Sequence, residues 1–124
     1  MNGVLRHTTV VEMLALGDFP GAERDLMARW GAVSDPLFIG LYGEELLSFV
    51  GFVAQTLLSD EAYLWMWTSP AAAKHKVMIG RHAKRLIAVA QHRYPILVGH
   101  CINSERWLRS LGAKIVGNEF VIGR

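Results

Sequence analysis

The sequence predicts an α/β (α+β) fold: a mixed sheet in which an antiparallel meander is followed by a βαβα unit, with helices on both faces. Three observations carry this. Residues 62–112 read as a strand (AYLWMWTS), a basic helix (PAAAKHKVMIGRHAKRLIAVAQHRY), a strand (PILVGHCI) and a helix (NSERWLRSLG), an order that places two parallel strands on a right-handed crossover. Residues 37–55 carry an extended rather than a helical period, interrupted by Gly43-Glu44-Glu45, which reads as a hairpin. At 124 residues, with just over half of them hydrophobic, the chain is a single domain, 1–124, able to bury one core.

Each element follows from local signals. Residues 4–6 suit a short first strand, and Thr8 or Thr9 offers an N-cap to a helix through Val10, Val11, Met13, Leu14 and Leu16 that Gly17 ends. Residues 20–30 suit a second helix, with Pro20 in its first turn and Gly31 closing it. The second hairpin arm, LLSFVGFVAQT, is apolar nearly throughout, as in a central strand covered on both faces. After a polar break at Ser59, Asp60 and Glu61, residues 62–68 form a third antiparallel strand. Tyr63, Trp65 and Trp67 share one face of it, and Leu64 and Met66 the other. Such an aromatic row reads as core or interface rather than as a ligand platform.

Ser69 is placed as N-cap and Pro70 as N1 of a long helix over 70–94, whose apolar stripe is Ile79, Ala83, Leu86, Ile87, Ala90 and Tyr94; Pro95 stops it. Residues 96–102 then suit a buried parallel strand with Cys101 as a small core residue. Asn103 or Ser104 caps a last helix that turns Trp107, Leu108 and Leu111 inward. Gly112 ends it before a closing strand over 115–122, bent at Gly117.

Charge is unevenly distributed. Up to Glu61 there are three basic and nine acidic residues, and from Ala62 onward ten basic and two acidic, so the two halves carry −6 and +8. A positive surface of this kind suits phosphate, nucleic acid or an acidic protein, and equally suits solubility alone. A single cysteine excludes an internal disulfide and a zinc-type cysteine pair, and no metal site is expected. No apolar run reaches the ~18 residues of a membrane span, and the first 17 residues lack the pattern of a signal peptide, so a cytoplasmic protein is expected.

The element order, with Asn103, Trp107, Leu108, Leu111, Gly112 and Ala113 at its end, resembles the GNAT family of acyl-CoA-dependent N-acetyltransferases. The pairing of TSPAAAKHKVMIGRHAKRLI with GHCINSERWLRSLGAKI is similar to small GNAT-like proteins of tailed bacteriophages, including the internal virion protein A family of short-tailed phages. That family usually lacks an intact acetyltransferase signature.

The resemblance implies a CoA diphosphate held by main-chain N–H groups of a glycine loop at a helix start. Aligning Gly80 with the last position of that loop sets His75 at the first and Met78 where a glycine belongs, with Gly80 itself in a helix interior. Lys74, His75, Lys76 and Arg81 supply positive charge there. The tyrosine that protonates the leaving thiolate in the family falls on Leu108, and Tyr63 and Tyr94 have no spacing that would replace it. Glu61 and His100 are the candidate general bases. Glu61 reads equally as a turn residue beside Asp60, and His100 as a hydrogen-bonded core or strand-end histidine.

The preferred expectation is therefore a phage-type GNAT-fold protein with a degenerate site, serving as a virion structural or assembly component. It would meet other phage or host proteins, or further copies of itself, in host cytoplasm or virion. No cofactor is expected in that case. The alternative is an N-acetyltransferase using acetyl-CoA with a divergent CoA site, and nucleic-acid binding through the basic helix is a third option.

Overall fold

The computed structural model describes residues 3–54, 56, 58–100 and 105–123, and for 105–107 the main chain only. Among them lie seven strands: β1 (Gly3–His7), β2 (Leu37–Tyr42), β3 (Glu45–Ala54), β4 (Glu61–Thr68), β5 (Ile96–His100), β6 (Lys114–Val116) and β7 (Glu119–Ile122). They form one sheet in the order β1-β2-β3-β4-β5-β7-β6, and every neighbouring pair is antiparallel except β4 and β5. The helices are α1 (Val10–Leu16), α2 (Gly21–Val33), α3 (Lys76–Ala90) and α4 (Glu105–Ser110). The expected fold class is what the structure shows.

The sheet divides two cores, and strand alternation decides which residue enters which. On one side Phe49 of β3 and Trp65 of β4 meet Met13, Phe19 and Met27 from the α1 and α2 region. On the other, Val50 and Phe52 of β3, Ala62 of β4 and Leu97 of β5 meet Leu86, Ile87 and Ala90 of α3 together with Leu108 of α4. β3 is buried at six consecutive positions because both of its faces are covered. The aromatic row behaves as expected. Trp30 packs edge-on against both Tyr63 and Trp65, and Phe19 edge-on against Trp67.

Local signals and structure differ in four places, each for a physical reason. Gly31 does not close α2, which runs on to Val33; a Cβ at Gly31 would lie 2.6 Å from Met13 Cε and 2.9 Å from Val10 Cγ2, so this glycine lets α1 cross closely. Pro20 is the N-cap of α2 rather than a residue of its first turn. Ser69 and Pro70 stand at the expected N-cap and N1 positions, but Ser69 makes no side-chain cap bond and no long α-helix starts there: its hydroxyl donates to the Leu46 carbonyl and its N–H donates to Leu47 O at 2.9 Å. A 3-10 helix, Pro70–His75, follows instead, and the α-helix begins only at Lys76 and ends at Ala90. The closing segment is a β6–β7 hairpin rather than one bent strand. Gly117, with φ of 61°, supplies the left-handed turn, and β7 inserts beside β5.

At the N-terminal side Thr9 caps α1 by accepting from the Glu12 N–H at 3.1 Å, and Arg6 of β1 holds the Glu12 carboxylate at 2.8 and 3.2 Å. The placements of Cys101 and of the Asn103 or Ser104 cap lie outside the described residues, as does the inward side chain expected of Trp107.

Candidate active site

The parallel pair is short. β4 and β5 share the register positions Glu61–Ile96, Ala62–Leu97 and Tyr63–Val98, after which β4 continues from Leu64 to Thr68 without a described partner on that edge. The far side of β5 stays paired to β7 as far as His100–Glu119. Among the described residues the ladder of the two parallel strands thus ends before their carboxyl ends, where open α/β sheets place their ligands. Gly99 sits at the parting. A Cβ there would lie 2.7 Å from the Leu64 carbonyl oxygen and 2.5 Å from the Phe120 ring.

One residue further, His100 Nδ1 lies 2.7 Å from the Tyr63 hydroxyl oxygen. Tyr63 is fixed from the α2 side by Trp30, whose ring meets it edge-on with centroids 5.3 Å apart. His100 is exposed at the strand end. Burial pushes the Tyr63 hydroxyl pKa up, main-chain hydrogen bonding at His100 works against this, and the Glu119 charge adds to it. The phenol therefore keeps its proton at neutral pH. With Nδ1–H donating to the phenol oxygen, Nε2 is free to accept a proton and the phenol O–H is free to donate one; the reverse tautomer inverts both roles.

The two candidate bases are not brought together. Glu61 stands at the closed end of the ladder, opposite Ile96. Four residues of extended chain, roughly 13 Å, separate that position from His100. Its N–H donates to Ser59 Oγ at 3.1 Å and its carbonyl accepts from the same hydroxyl at 2.7 Å, which is the turn role.

The expected phosphate-binding residues do gather, but elsewhere. Lys74, His75, Lys76 and Arg81 line an open cleft of about 740 Å³, with Arg85 beside them and Gly3 of β1 and Tyr42 of β2 on the opposite wall. The His75 ring stacks on Tyr42 at 4.4 Å, and its Nε2 lies 3.1 Å from a Glu45 oxygen. Because Ser69 is tied to β3, the segment after β4 crosses β3 and β2 toward β1. Met78 then lies over Gly3, with its sulfur 1.9 Å from where a Cβ would be. β1 is three strand spacings, roughly 14 Å, from β4. Gly80 lies inside α3 and does not line the cleft, so it forms no phosphate loop.

Leu108, at the position of the family's acid, is only 4% exposed and belongs to the core on the α3 side. Tyr94 is buried there too, with the Arg93 guanidinium 4.6 Å above its ring. Tyr63 is the tyrosine that reaches the parting strands. Its membership of the aromatic face was visible in the sequence, and its pairing with His100 was not. Among the described residues no group of three metal-ligating side chains occurs. Among the described residues no helix is long and apolar enough to cross a membrane.

The residues present fit an acyl-CoA in part. From Leu64 to Thr68 the β5-side edge of β4, which has no ladder partner among the described residues, offers main-chain groups to an extended, amide-bearing arm. The end of β4 offers no glycine cradle to a diphosphate: Ala72 is buried there and Ser69 is spent on β3.

No protein-family model and no curated protein sequence matches the chain. Solved structures do. An N-acetyltransferase from Staphylococcus aureus Mu50 superposes with a TM-score of 0.68 at 14% identity, over 99% of each chain. Spermidine/spermine N-acetyltransferase SpeG from Vibrio cholerae gives 0.69 at 10% identity, over 97% of this chain and 91% of that one. A Desulfovibrio desulfuricans protein assigned to the GNAT family gives 0.72 at 10% identity, over 98% and 99%. The chain has the GNAT fold. At 10–14% identity this likeness shows the fold and assigns no role.

Proposed function

We propose that the chain is an acyl-CoA-dependent N-acyltransferase whose reacting groups meet where β4 and β5 part. The observation that carries the proposal is the 2.7 Å contact between the Tyr63 hydroxyl and His100 Nδ1 at that place. An acyl-CoA would supply the activated acyl carbonyl. His100 Nε2 takes a proton from the acceptor ammonium, so that the amine can attack. Tyr63 gives its phenol proton to the departing sulfur and regains one from His100 Nδ1–H; the second amine proton leaves to solvent. The C–N bond forms as the C–S bond breaks, and the pair returns to neutrality with the imidazole proton on Nε2, which exchanges with solvent to restore Nδ1–H before the next turnover. Tyr63 thus takes the place of the acid that Leu108 cannot supply.

Calorimetric titration with acetyl-CoA, followed by thiol release in the presence of a set of primary amines, tests this. His100→Gln and Tyr63→Phe should each lower kcat/KM by about 10²–10⁴ while leaving CoA affinity nearly unchanged. Absence of CoA binding and of thiol release would overturn the proposal, and so would full activity in both variants. The first of these outcomes is the one that a catalytically silent GNAT-fold protein would give.

A further inference from the structure

The cleft between α3 and the β1–β2 edge is not used by the reaction proposed above. Its charged lining is of one sign: Lys74, Lys76, Arg81 and Arg85 face it, and none of them has a carboxylate partner among the described residues. The nearby Glu45 is engaged by His75 rather than by any of these cations. Four cations with no compensating acid cost solubility nothing, but they raise the local potential, and the cleft walls focus it. His82 also lines the cleft, and its pKa is lowered first by burial and then by the Arg85 charge.

Spacing narrows the ligand. Arg81 and Arg85 are one helical turn apart, about 6 Å, and the stretch from Lys76 to Arg85 spans roughly 13 Å of α-helix, with Lys74 in the 3-10 helix before it. That length accommodates about four nucleotides at the ~3.4 Å rise of a stacked strand. At one end of the cleft the stacked Tyr42–His75 pair forms an aromatic wall. A positive groove that tracks a backbone, with a ring on which a base can stack, is how single strands are held without sequence preference. An acidic peptide would satisfy the charges and leave the aromatic wall unused.

We infer that this cleft binds single-stranded nucleic acid, through phosphate contacts to Lys74, Lys76, Arg81 and Arg85 and base stacking on the Tyr42–His75 wall. The site lies on the α3 side of the sheet, at the β1–β2 edge, away from the Tyr63–His100 pair.

The test is anisotropy of a fluorescein-labelled oligothymidylate of about twelve nucleotides, titrated with the full chain. With four phosphate contacts on a single strand the log–log salt slope is about −2.8, so affinity should fall roughly fiftyfold between about 50 and about 200 mM salt. Arg81→Ala/Arg85→Ala, at two exposed helix positions, should bind more weakly and lose only about sevenfold over the same range. Tyr42→Leu should weaken binding by about tenfold with the salt slope unchanged. His100→Gln, which disables the proposed transfer, should bind the oligonucleotide as the parent does, so failure of one reading is distinguishable from failure of the other. Three results would overturn the inference: salt-insensitive or absent binding with both Arg variants unaltered in fold, displacement of the oligonucleotide by polyglutamate at equal charge, or stoichiometric displacement by coenzyme A.

Discussion

Gly99→Ala probes the point where the parallel strands part. The added Cβ would stand 2.5 and 2.6 Å from the Phe120 ring carbons and 2.7 Å from the Leu64 carbonyl oxygen, against the 3.4 Å at which ordinary contact begins. Relief needs a displacement of roughly 0.7–0.9 Å, the shortfall of those distances. Neither neighbour yields easily: Phe120 is 4% exposed in a packed core, and the Leu64 oxygen is main chain. Overpacking of this kind costs about 2 kcal/mol. Unfolding entropy of about 2.1 cal/mol/K per residue amounts to about 0.26 kcal/mol/K for this chain, so Tm should fall by about 8 °C. Calorimetry or the far-ultraviolet circular dichroism melt reads this directly. The same displacement moves His100 away from Tyr63, so acyl transfer should fall further than the folded fraction explains. A Tm drop below about 2 °C would refute the reasoning, since it would mean that β5 yields freely where the ladder ends.

Two further predictions concern the scaffold on the α1–α2 side. Ser34→Ala removes the acceptor of the Trp65 indole N–H, held at 2.8 Å, and the donor to the Trp30 carbonyl, held at 2.7 Å. With Trp65 only 7% exposed the stranded N–H should cost about 1–3 kcal/mol, read as a lower urea midpoint at unchanged m. The Glu12 carboxyl is held below the usual carboxylate range, first by the Arg6 hydrogen bonds and then by that of Thr8. Because the folded pKa is the lower one, this stabilisation is complete above the ordinary value of 4.5 and is lost as pH falls through the folded value. Urea midpoints recorded from neutral pH into acid should show the difference between the parent and Glu12→Gln shrinking over that window; a constant difference would contradict the assignment.

The fold was legible because its signals are local and agree with one another. Alternation on β4 placed Tyr63, Trp65 and Trp67 on one face, and the unbroken apolar run on β3 announced a strand covered on both sides. The errors came where a residue with a strong local meaning was used by a distant one. Gly31 looks like a helix stop, yet it serves the crossing of Val10 and Met13. Ser69 before Pro70 looks like an N-cap, yet its hydroxyl is taken by Leu46, more than twenty residues earlier. Capping preference is worth about 1 kcal/mol, and a tertiary hydrogen bond of similar strength is enough to redirect it.

That one redirection decides the geometry of the whole candidate site. Had Ser69 capped a helix directly after β4, the charges of Lys74, Lys76 and Arg81 would have stood at the parting of β4 and β5. Tied to β3 instead, the chain spends a 3-10 helix crossing toward β1 and delivers those charges to the opposite edge. The Tyr63–His100 pair was hidden for a different reason. It depends on a parallel register set across more than thirty residues, and nothing in the local sequence fixes that register. The sheet now lies between the two places: Tyr63 packs on Trp30 on the α2 side, whereas Gly3 and Met78 close the cleft on the α3 side. Substitutions that alter the cleft's charge should therefore leave the proton-handling pair intact, because the two share neither a face nor a hydrogen bond.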